Sequence, residues 1–176
     1  EKIKRGDLSN AEWKQLQTRI ECLESAPIYI DDTANMSISE LCSKARRLSS
    51  ERGIKCIIID YLQLMNASGM SYGSREQEVS IISRSLKGLA KELNIPVIAL
   101  SQLNRGVEQR SRDDKTPQLS DLRESGAIEQ DADMVVFIHR PEYYGITTDK
   151  DGNSNEGVAE IIIAKHRSGS VGTVRL

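Results

Sequence analysis

The sequence predicts an α/β domain in which helices flank a largely parallel β-sheet. Continuous apolar runs at residues 56–59, 97–100 and 134–138 are typical of strands that are covered on both faces. A long amphipathic segment separates the first two runs, and strand, helix and strand in this order form a βαβ unit. With 176 residues, 38% of them hydrophobic, the chain has the size of one globular domain with its own core.

The first helix is predicted over residues 10–24, because Ser9 and Glu12 form a capping box and apolar residues follow at helical spacing. Pro27 ends this helix, and residues 28–30 are expected to form a short strand. The apolar residues that recur at helical spacing and make the helix amphipathic are Trp13, Leu16, Ile20 and Leu23.

A second capping box, at Ser37 and Glu40, predicts another helix, which ends at Gly53. The residues that this helix should bury are Ile38, Leu41, Ala45 and Leu48. Residues 56–59 then form the first buried strand, which terminates in Asp60.

A third and longer helix follows the Ser/Gly-rich loop at residues 66–74 and ends at Asn94. Its expected inner face consists of Val79, Ile82, Leu86, Leu89 and Leu93. Residues 97–100 form the second buried strand, which ends in Ser101 and Gln102.

The rest of the chain gives weaker patterns. Residues 103–118 are polar and charged and are expected to form a loop, whereas residues 120–130 are weakly helical. Residues 134–138 and 158–164 are two further apolar strands. A Gly-containing turn should then fold residues 173–176 back as a hairpin partner.

Charge and cysteine content exclude several classes of protein. The 24 Lys and Arg residues against 26 Asp and Glu residues give a net charge of −2, so any binding of nucleic acid must be local. Every apolar run is far shorter than the roughly 20 residues that span a bilayer. The cysteines Cys22, Cys42 and Cys56 form no Cys-x-x-Cys pair, which indicates neither disulfides nor zinc and favours a reducing, intracellular setting.

Polar residues end both strands of the βαβ unit, and in an open parallel sheet ligands bind beyond the carboxyl ends of the strands. Asp60 has the form of a Walker B aspartate, which binds the water shell of Mg²⁺ on a nucleotide, although an apolar run followed by Asp is often only a strand end. Gln102, beside Ser101, offers an amide that can donate to a phosphate oxygen. The alternative is an ordinary surface glutamine.

Lys165 and Arg167 lie two residues apart on a strand, so they project to the same face and can hold phosphate as a point charge and a bidentate fork. The alternative is a solvated strand edge whose positive charge prevents pairing between sheets. The chain has no Gly-x-x-x-x-Gly-Lys-[Ser/Thr] phosphate loop, and His139 and His166 lack the spacing of metal ligands.

Five strings occur in order along the chain: DYLQLM at 60–65, SRSLKGLAKEL at 83–93, ALSQLNR at 99–105, DLRESGAIEQDAD at 121–133 and IIIAKHRSG at 161–169. Together they closely resemble the bacterial replicative DNA helicases of the DnaB family. The resemblance implies part of a RecA-like motor domain, truncated before residue 1. In the family this domain forms a ring of six around single-stranded DNA and hydrolyses ATP or another NTP at each subunit interface.

The resemblance also implies roles for the candidate residues. It makes Asp60 the Walker B carboxylate that organises Mg²⁺, and Gln102 the amide that links the terminal phosphate of the nucleotide to the DNA-binding loops. Lys165 and Arg167 resemble the family's pair that reaches the neighbouring subunit's nucleotide, with Arg167 as the arginine finger. Such a finger is typically worth about 10³ to 10⁵ in rate.

The DNA-binding residues implied by the resemblance are Arg123, Glu124 and Gly126, in a loop that holds the single-stranded backbone. Phosphate contacts of this kind carry no sequence information, as a moving motor requires. The loop at residues 66–75 lies where the family has a second channel-facing loop. Tyr143 and Tyr144 either approach a nucleotide base or pack within the domain.

The family's P-loop, catalytic glutamate and primase-binding domain have no counterpart here, so the fragment alone is expected to hydrolyse NTP negligibly. The intact protein is expected to unwind DNA 5′ to 3′ in the bacterial cytoplasm, at the nucleoid, with primase and a helicase loader as partners. Two alternatives stay open: a RecA-like recombinase or clock-type ATPase, and a non-catalytic assembly module.

Overall fold

The computed structural model of the protein describes residues 2–69, 73–110, 115–149 and 151–176, with the side chains of residues 22 and 123–125 outside this description. The chain divides into two compact units, Glu1–Thr33 and Ala34–Leu176.

The first unit contains two helices, α1 (Lys2–Arg5) and α2 (Asn10–Glu24). The capping box of α2 is confirmed, because the Ser9 hydroxyl accepts from the Glu12 N–H at 3.3 Å and the Glu12 carboxylate accepts from the Ser9 N–H at 2.8 Å. The helix predicted over residues 10–24 is also confirmed, and two of its apolar residues are exposed, Trp13 at 47% and Leu23 at 64%.

The strand predicted at residues 28–30 is also wrong. These residues form no strand, and Ile30 is 89% exposed. A strand needs a neighbour for its backbone hydrogen bonds, and in the described part of the chain these three residues have no strand beside them.

The second unit begins with α3 (Ile38–Arg52), which Ser37 caps and which ends at Gly53 in the left-handed conformation (φ 62°). The long helix α4 (Arg75–Leu93) is capped by Ser74 and ends at Asn94, also left-handed (φ 52°). Both helices therefore start and stop at the residues that the sequence predicts.

A parallel pair of strands, β1 (Ile57–Ile59) and β2 (Val97–Ala99), has α4 as its crossover. The core on one face of this pair is formed by Ile38, Ile59, Leu62, Met65, Ala67, Ile82 and Leu86. The expectation that these strands are covered on both faces is wrong for the described residues, because Ile58 is 69% exposed and its register partner Ile98 is 51% exposed.

Between β2 and the next strand lie the short helix α5 (Gly106–Gln109), a 3₁₀ helix (Leu119–Ser125) and α6 (Gly126–Asp131). The helical prediction for residues 120–130 is confirmed. Residues 103–118, which were predicted to form a loop, contain the short helix α5. At its start the Asn104 side chain accepts a hydrogen bond from the Gly106 N–H at 2.9 Å.

The last three strands, β3 (Met134–His139), β4 (Glu160–His166) and β5 (Gly172–Arg175), form an antiparallel sheet in the order β3-β4-β5. The predicted carboxyl-terminal hairpin is confirmed as β4-β5. The described residues hold one parallel and two antiparallel strand pairs, so the parallel part of the sheet is smaller than expected. In the described part of the β3–β4 connection the helical element is a 3₁₀ helix (Pro141–Tyr144), and without a full crossover helix a returning strand pairs antiparallel. No helix of the described residues is both long and apolar enough to cross a membrane.

Candidate functional site

Asp60 and Gln102 lie at the same edge of the β1–β2 pair, as the sequence predicts. The two chain segments continue side by side beyond the strands, because the Leu100 N–H donates to the Ile59 carbonyl and the Leu62 N–H donates to the Leu100 carbonyl, both at 2.9 Å. Both candidate residues are exposed. Among the described residues, neither the Asp60 carboxylate nor the Gln102 side-chain amide has a hydrogen-bond partner. Both groups are therefore open to a ligand.

Gln63 joins the two strand ends, and sequence reasoning missed this. Its side-chain Nε2 donates to the Ser101 hydroxyl at 2.9 Å and, less closely, to the Gln102 carbonyl at 3.4 Å. Its Oε1 accepts from the Gln102 N–H at 3.2 Å. The backbone that carries Gln102 is thus held to the segment that carries Asp60. The only signal in the sequence is that Gln63 lies within the string that begins at Asp60.

A cleft of about 420 Å³ opens beside this edge and is lined by residues 102–105, Val107, Glu108 and Tyr144. The Tyr144 ring stacks on His139 with ring centres 5.6 Å apart and meets the ring of Tyr143 edge-on at 5.2 Å. Tyr144 therefore packs within the domain and forms one wall of the cleft, whereas Tyr143 is 76% exposed. The two tyrosines, grouped in the sequence analysis, have different environments.

Lys165 and Arg167 both lie against the carboxyl end of α6. The Lys165 ammonium donates to the carbonyls of Glu129 and Gln130. The Arg167 guanidinium donates to the Gln130 carbonyl at 3.4 Å. Carbonyls in the last turn of a helix have no partner within the helix, and cations are favourable there. The structure brings these two cations together, as expected, but their placement on one strand is wrong for Arg167, because β4 ends at His166 and Arg167 lies in the turn that follows.

Asp133 is the acidic partner of Arg167, and sequence reasoning did not single it out. Its Oδ1 lies 3.2 Å from Arg167 Nη1, while its Oδ2 accepts from the Lys87 ammonium. The hydrogen bond from Lys87 holds the pKa of the Asp133 carboxyl below its usual range, and the charges of Lys87 and Arg167 add to this effect. Asp133 is therefore ionised at neutral pH.

The segment that precedes the predicted DNA-binding loop is fixed by a buried acid. Asp121 is 5% exposed and accepts from both Nη1 and Nη2 of Arg110 and, at 2.7 Å, from the Gln118 N–H. Its carbonyl accepts from the Asn104 N–H at 3.1 Å, two residues beyond Gln102. These contacts tie the Gln102 segment to the start of the 3₁₀ helix.

The DNA-binding residues predicted from the resemblance are described only in part. The backbone of Arg123 and Glu124 lies in the 3₁₀ helix, and their side chains lie outside the described residues. Gly126 begins α6, and a Cβ added there would meet no atom of the described chain within 4 Å. The second predicted loop, residues 66–75, includes residues 70–72, which also lie outside the described residues.

The residues present fit a magnesium nucleotide better than a metal held by the protein alone. No group of three or more His, Cys, Asp or Glu residues in the described chain is arranged to hold a metal ion. Mg²⁺ on a nucleotide keeps several waters and needs only one or two carboxylates, and Asp60 is one exposed carboxylate at a strand end.

The fold and the polar edge together define an ATPase domain of the RecA type, a class that uses nucleotides. The family model for the DnaB-like helicase C-terminal domain matches residues 1–176, and the chain belongs to this family.

Relatives of known sequence agree with this assignment. The chain is 52% identical over 174 residues to the replicative DNA helicase DnaC of Bacillus subtilis, covering 99% of this chain and 37% of that protein. It is 53% identical to the replicative DNA helicase DnaB of Geobacillus stearothermophilus, with the same coverage. The chain thus spans little more than a third of the length of these relatives.

Two solved structures have the same fold. One is an ATPase domain that superposes with a TM-score of 0.86 at 44% identity, covering 99% of this chain and 60% of that one. The other is a DnaB-like replicative helicase, described with its interactions with primase, which has the same TM-score and identity and is covered over 42% of its length.

Proposed function

We propose that this chain is part of an ATP-dependent replicative DNA helicase that encircles single-stranded DNA as a hexamer and moves along it 5′ to 3′. The observation that carries the proposal is the pairing of Asp60 and Gln102 at one strand edge, both with side chains open to a ligand. The names of the relatives favour a helicase over a recombinase or a clock-type ATPase.

Asp60 would hold a water of the magnesium nucleotide, because a carboxylate at a rigid strand end can orient that water without reorganising. Mg²⁺, when bound, neutralises charge on the phosphates. Ser101 and Gln102 would bind the terminal phosphate through their hydroxyl and amide. Since the backbone of Gln102 is held by Gln63, its amide is presented to the nucleotide from a fixed position.

Lys165 and Arg167 would act on the nucleotide of the neighbouring subunit. Both are cations near the surface, and the side chain of Arg167 is 53% exposed, which leaves it accessible to a second subunit. A guanidinium stabilises the charge that develops on the transferred phosphoryl group. Each subunit would therefore supply half of a site to each of two interfaces.

DNA would pass through the ring against the loop of Arg123, Glu124 and Gly126. Contacts to phosphates position the strand without reading its sequence. Because six copies of a small loop face one channel, the net charge of −2 is compatible with DNA binding. The same protein would meet primase and a helicase loader and would act at the bacterial nucleoid in the cytoplasm.

A test of the shared site uses mixed rings of the full-length protein. Rings made only of Asp60→Asn subunits, or only of Arg167→Ala subunits, should not turn over ATP. Co-assembly of the two variants should restore part of the turnover, because one order of neighbours joins an intact Asp60 to an intact Arg167. Mixed rings that stay inactive, or single-variant rings that stay active, contradict the proposal. Continued ring assembly without any turnover in the unmodified protein would instead favour a non-catalytic module.

A further inference from the structure

Asp133 holds Arg167 at two points. The Arg167 backbone N–H donates to the Asp133 carbonyl at 2.8 Å, and its Nη1 lies 3.2 Å from Asp133 Oδ1. The first contact fixes the base of the side chain, and the second fixes its tip. A long arginine side chain otherwise has considerable rotamer freedom.

The contact at the tip leaves the guanidinium available. Among the described residues, the Asp133 carboxylate lies close to Nη1 of Arg167. The other side-chain contact of Arg167, from Nη2 to the Gln130 carbonyl, is long at 3.4 Å. The side chains of Arg167 and Asp133 are 53% and 57% exposed, so the pair lies at the surface and not in the core. Arg167 is thus oriented by its own subunit while its other donors can reach a ligand.

The Asp133 carboxylate is itself held in place from α4. Its second oxygen accepts from Lys87, whose side chain is 22% exposed. Lys87 and Arg167 therefore bind opposite oxygens of one carboxylate, which joins α4 to the end of β4. This bridge also explains why the carboxyl stays ionised, since both neighbours carry positive charge.

We propose that Asp133 is a positioning residue for Arg167, which it orients toward the nucleotide of the adjacent subunit, with Lys87 fixing the carboxylate from the opposite side. The inference rests on the proposed function, because it assigns a task to Asp133 only if Arg167 acts across a subunit interface. Asp133 does not touch the nucleotide itself.

The first experiment measures steady-state ATP turnover of full-length Asp133→Ala, Asp133→Asn and Asp133→Glu rings. Displacement of a catalytic group by about 1 Å can cost about 10²-fold in rate, so Asp133→Ala should lower kcat by about that factor with little change in KM. Asp133→Asn keeps the shape of the side chain without its charge, so its kcat should also be lower than that of the unmodified protein. Asp133→Glu keeps the charge and should retain more turnover than Asp133→Asn.

The matched control is Glu92→Gln, which breaks another exposed arginine–carboxylate pair, between α3 and α4. Arg46 Nε lies 2.7 Å from Glu92 Oε1, so this pair is geometrically as good as the one under test. The control should leave kcat unchanged. An equal fall of kcat in the control would indicate a general effect on stability. Equal kcat values for Asp133→Asn and Asp133→Glu would mean that the charge of residue 133 does not orient Arg167. Either result overturns the positioning role.

Mixed rings separate a positioning role from a structural one. Asp133→Asn subunits co-assembled with Asp60→Asn subunits should regain turnover, because one order of neighbours has both residues intact. Asp133→Asn co-assembled with Arg167→Ala should regain none, since both variants damage the same side of the interface. Regain in the second mixture, or none in the first, overturns the inference. If Asp60→Asn and Arg167→Ala also fail to complement each other, the proposed function fails with it; if only the Asp133 mixtures deviate, the proposed function stands.

Discussion

Replacing Gln63 with Ala should loosen the segment that carries Gln102. The change removes two good hydrogen bonds, at 2.9 Å to Ser101 and 3.2 Å from the Gln102 N–H, and one long contact at 3.4 Å. A neutral hydrogen bond contributes about 1 kcal/mol net, so the loss is about 2 kcal/mol. Since about 1.4 kcal/mol corresponds to a factor of ten, the ratio of the arrangement that presents Gln102 to looser arrangements should fall about 30-fold.

The assay is DNA-stimulated ATP turnover by the full-length protein, with thermal unfolding measured in parallel. Turnover should fall by at most about 30-fold at a temperature where the variant is still folded, because a loss of about 2 kcal/mol is smaller than the total stability of an ordinary protein. Gln63→Glu keeps an acceptor for the Gln102 N–H, so its turnover should fall less than that of Gln63→Ala. Asn153→Ala, which removes an exposed amide that donates to Asp149 at 3.0 Å, serves as the control and should have normal turnover.

Unchanged turnover in Gln63→Ala would refute the reasoning, because it would mean that the hydrogen bonds of Gln63 do not govern how Gln102 meets the nucleotide. A fall that is explained by unfolding of the variant at the assay temperature would also contradict it, since the effect would then be on the fold and not on the site.

Four further predictions concern the core, the DNA loop and pH. Ile82 is 1% exposed, so Ile82→Ala should lower the unfolding free energy of the protein by about 3 kcal/mol, as urea unfolding will measure. A change no larger than the error of that measurement would contradict the place of Ile82 in the core. Asp121→Ala leaves Arg110 without its buried partner and should cost about 3 kcal/mol in the same assay. Arg123→Ala should weaken binding to unrelated single strands equally and reduce the salt dependence by about one counterion, as fluorescence anisotropy at several salt concentrations will test; unequal losses would indicate base readout. Burial lowers the pKa of His139 from its ordinary 6.5, so the unfolded chain takes up a proton first and stability should fall as the pH drops below that value; His139→Gln should remove this dependence.

The helices were predictable because their signals are local. Ser37 and Gly53 mark the ends of α3, and Ser74 and Asn94 mark those of α4, through the geometry of a single turn at each end. The inner face of α4 follows from the helical period of its apolar residues, and the structure buries Ile82 as expected.

Coverage of the strands was not predictable from the same kind of pattern. The apolar runs suggested strands buried on both faces, yet Ile58 and Ile98 are exposed in the described chain. An apolar run indicates that a strand is covered on its faces, but it does not indicate which segment covers them. The wrong strand prediction at residues 28–30 has the same cause, because the local sequence does not indicate which strand would pair with these residues.

The site was predictable where it depends on topology alone. Parallel strands end at one edge, so Asp60 and Gln102 had to lie near each other once the βαβ unit was assigned. The residues that support Gln102 and Arg167 were missed, because their contacts join distant positions: Gln63 lies 39 residues from Gln102, and Lys87 lies 46 residues from Asp133, the partner of Arg167. Neither spacing belongs to a helical or strand period. The catalytic roles of these side chains, and the DNA-binding roles of Arg123, Glu124 and Gly126, stay predictions.

The most direct test is a structure of the full-length ring with a non-hydrolysable ATP analogue and Mg²⁺, in which the distances from the terminal phosphate to the surrounding side chains are measured. Asp60 and Gln102 of one subunit and Arg167 of its neighbour should surround the same nucleotide, with the Arg167 guanidinium within hydrogen-bond distance of the terminal phosphate. A ring in which Arg167 stays within its own subunit at every occupied interface, or in which Asp60 faces away from the metal, would contradict the shared site.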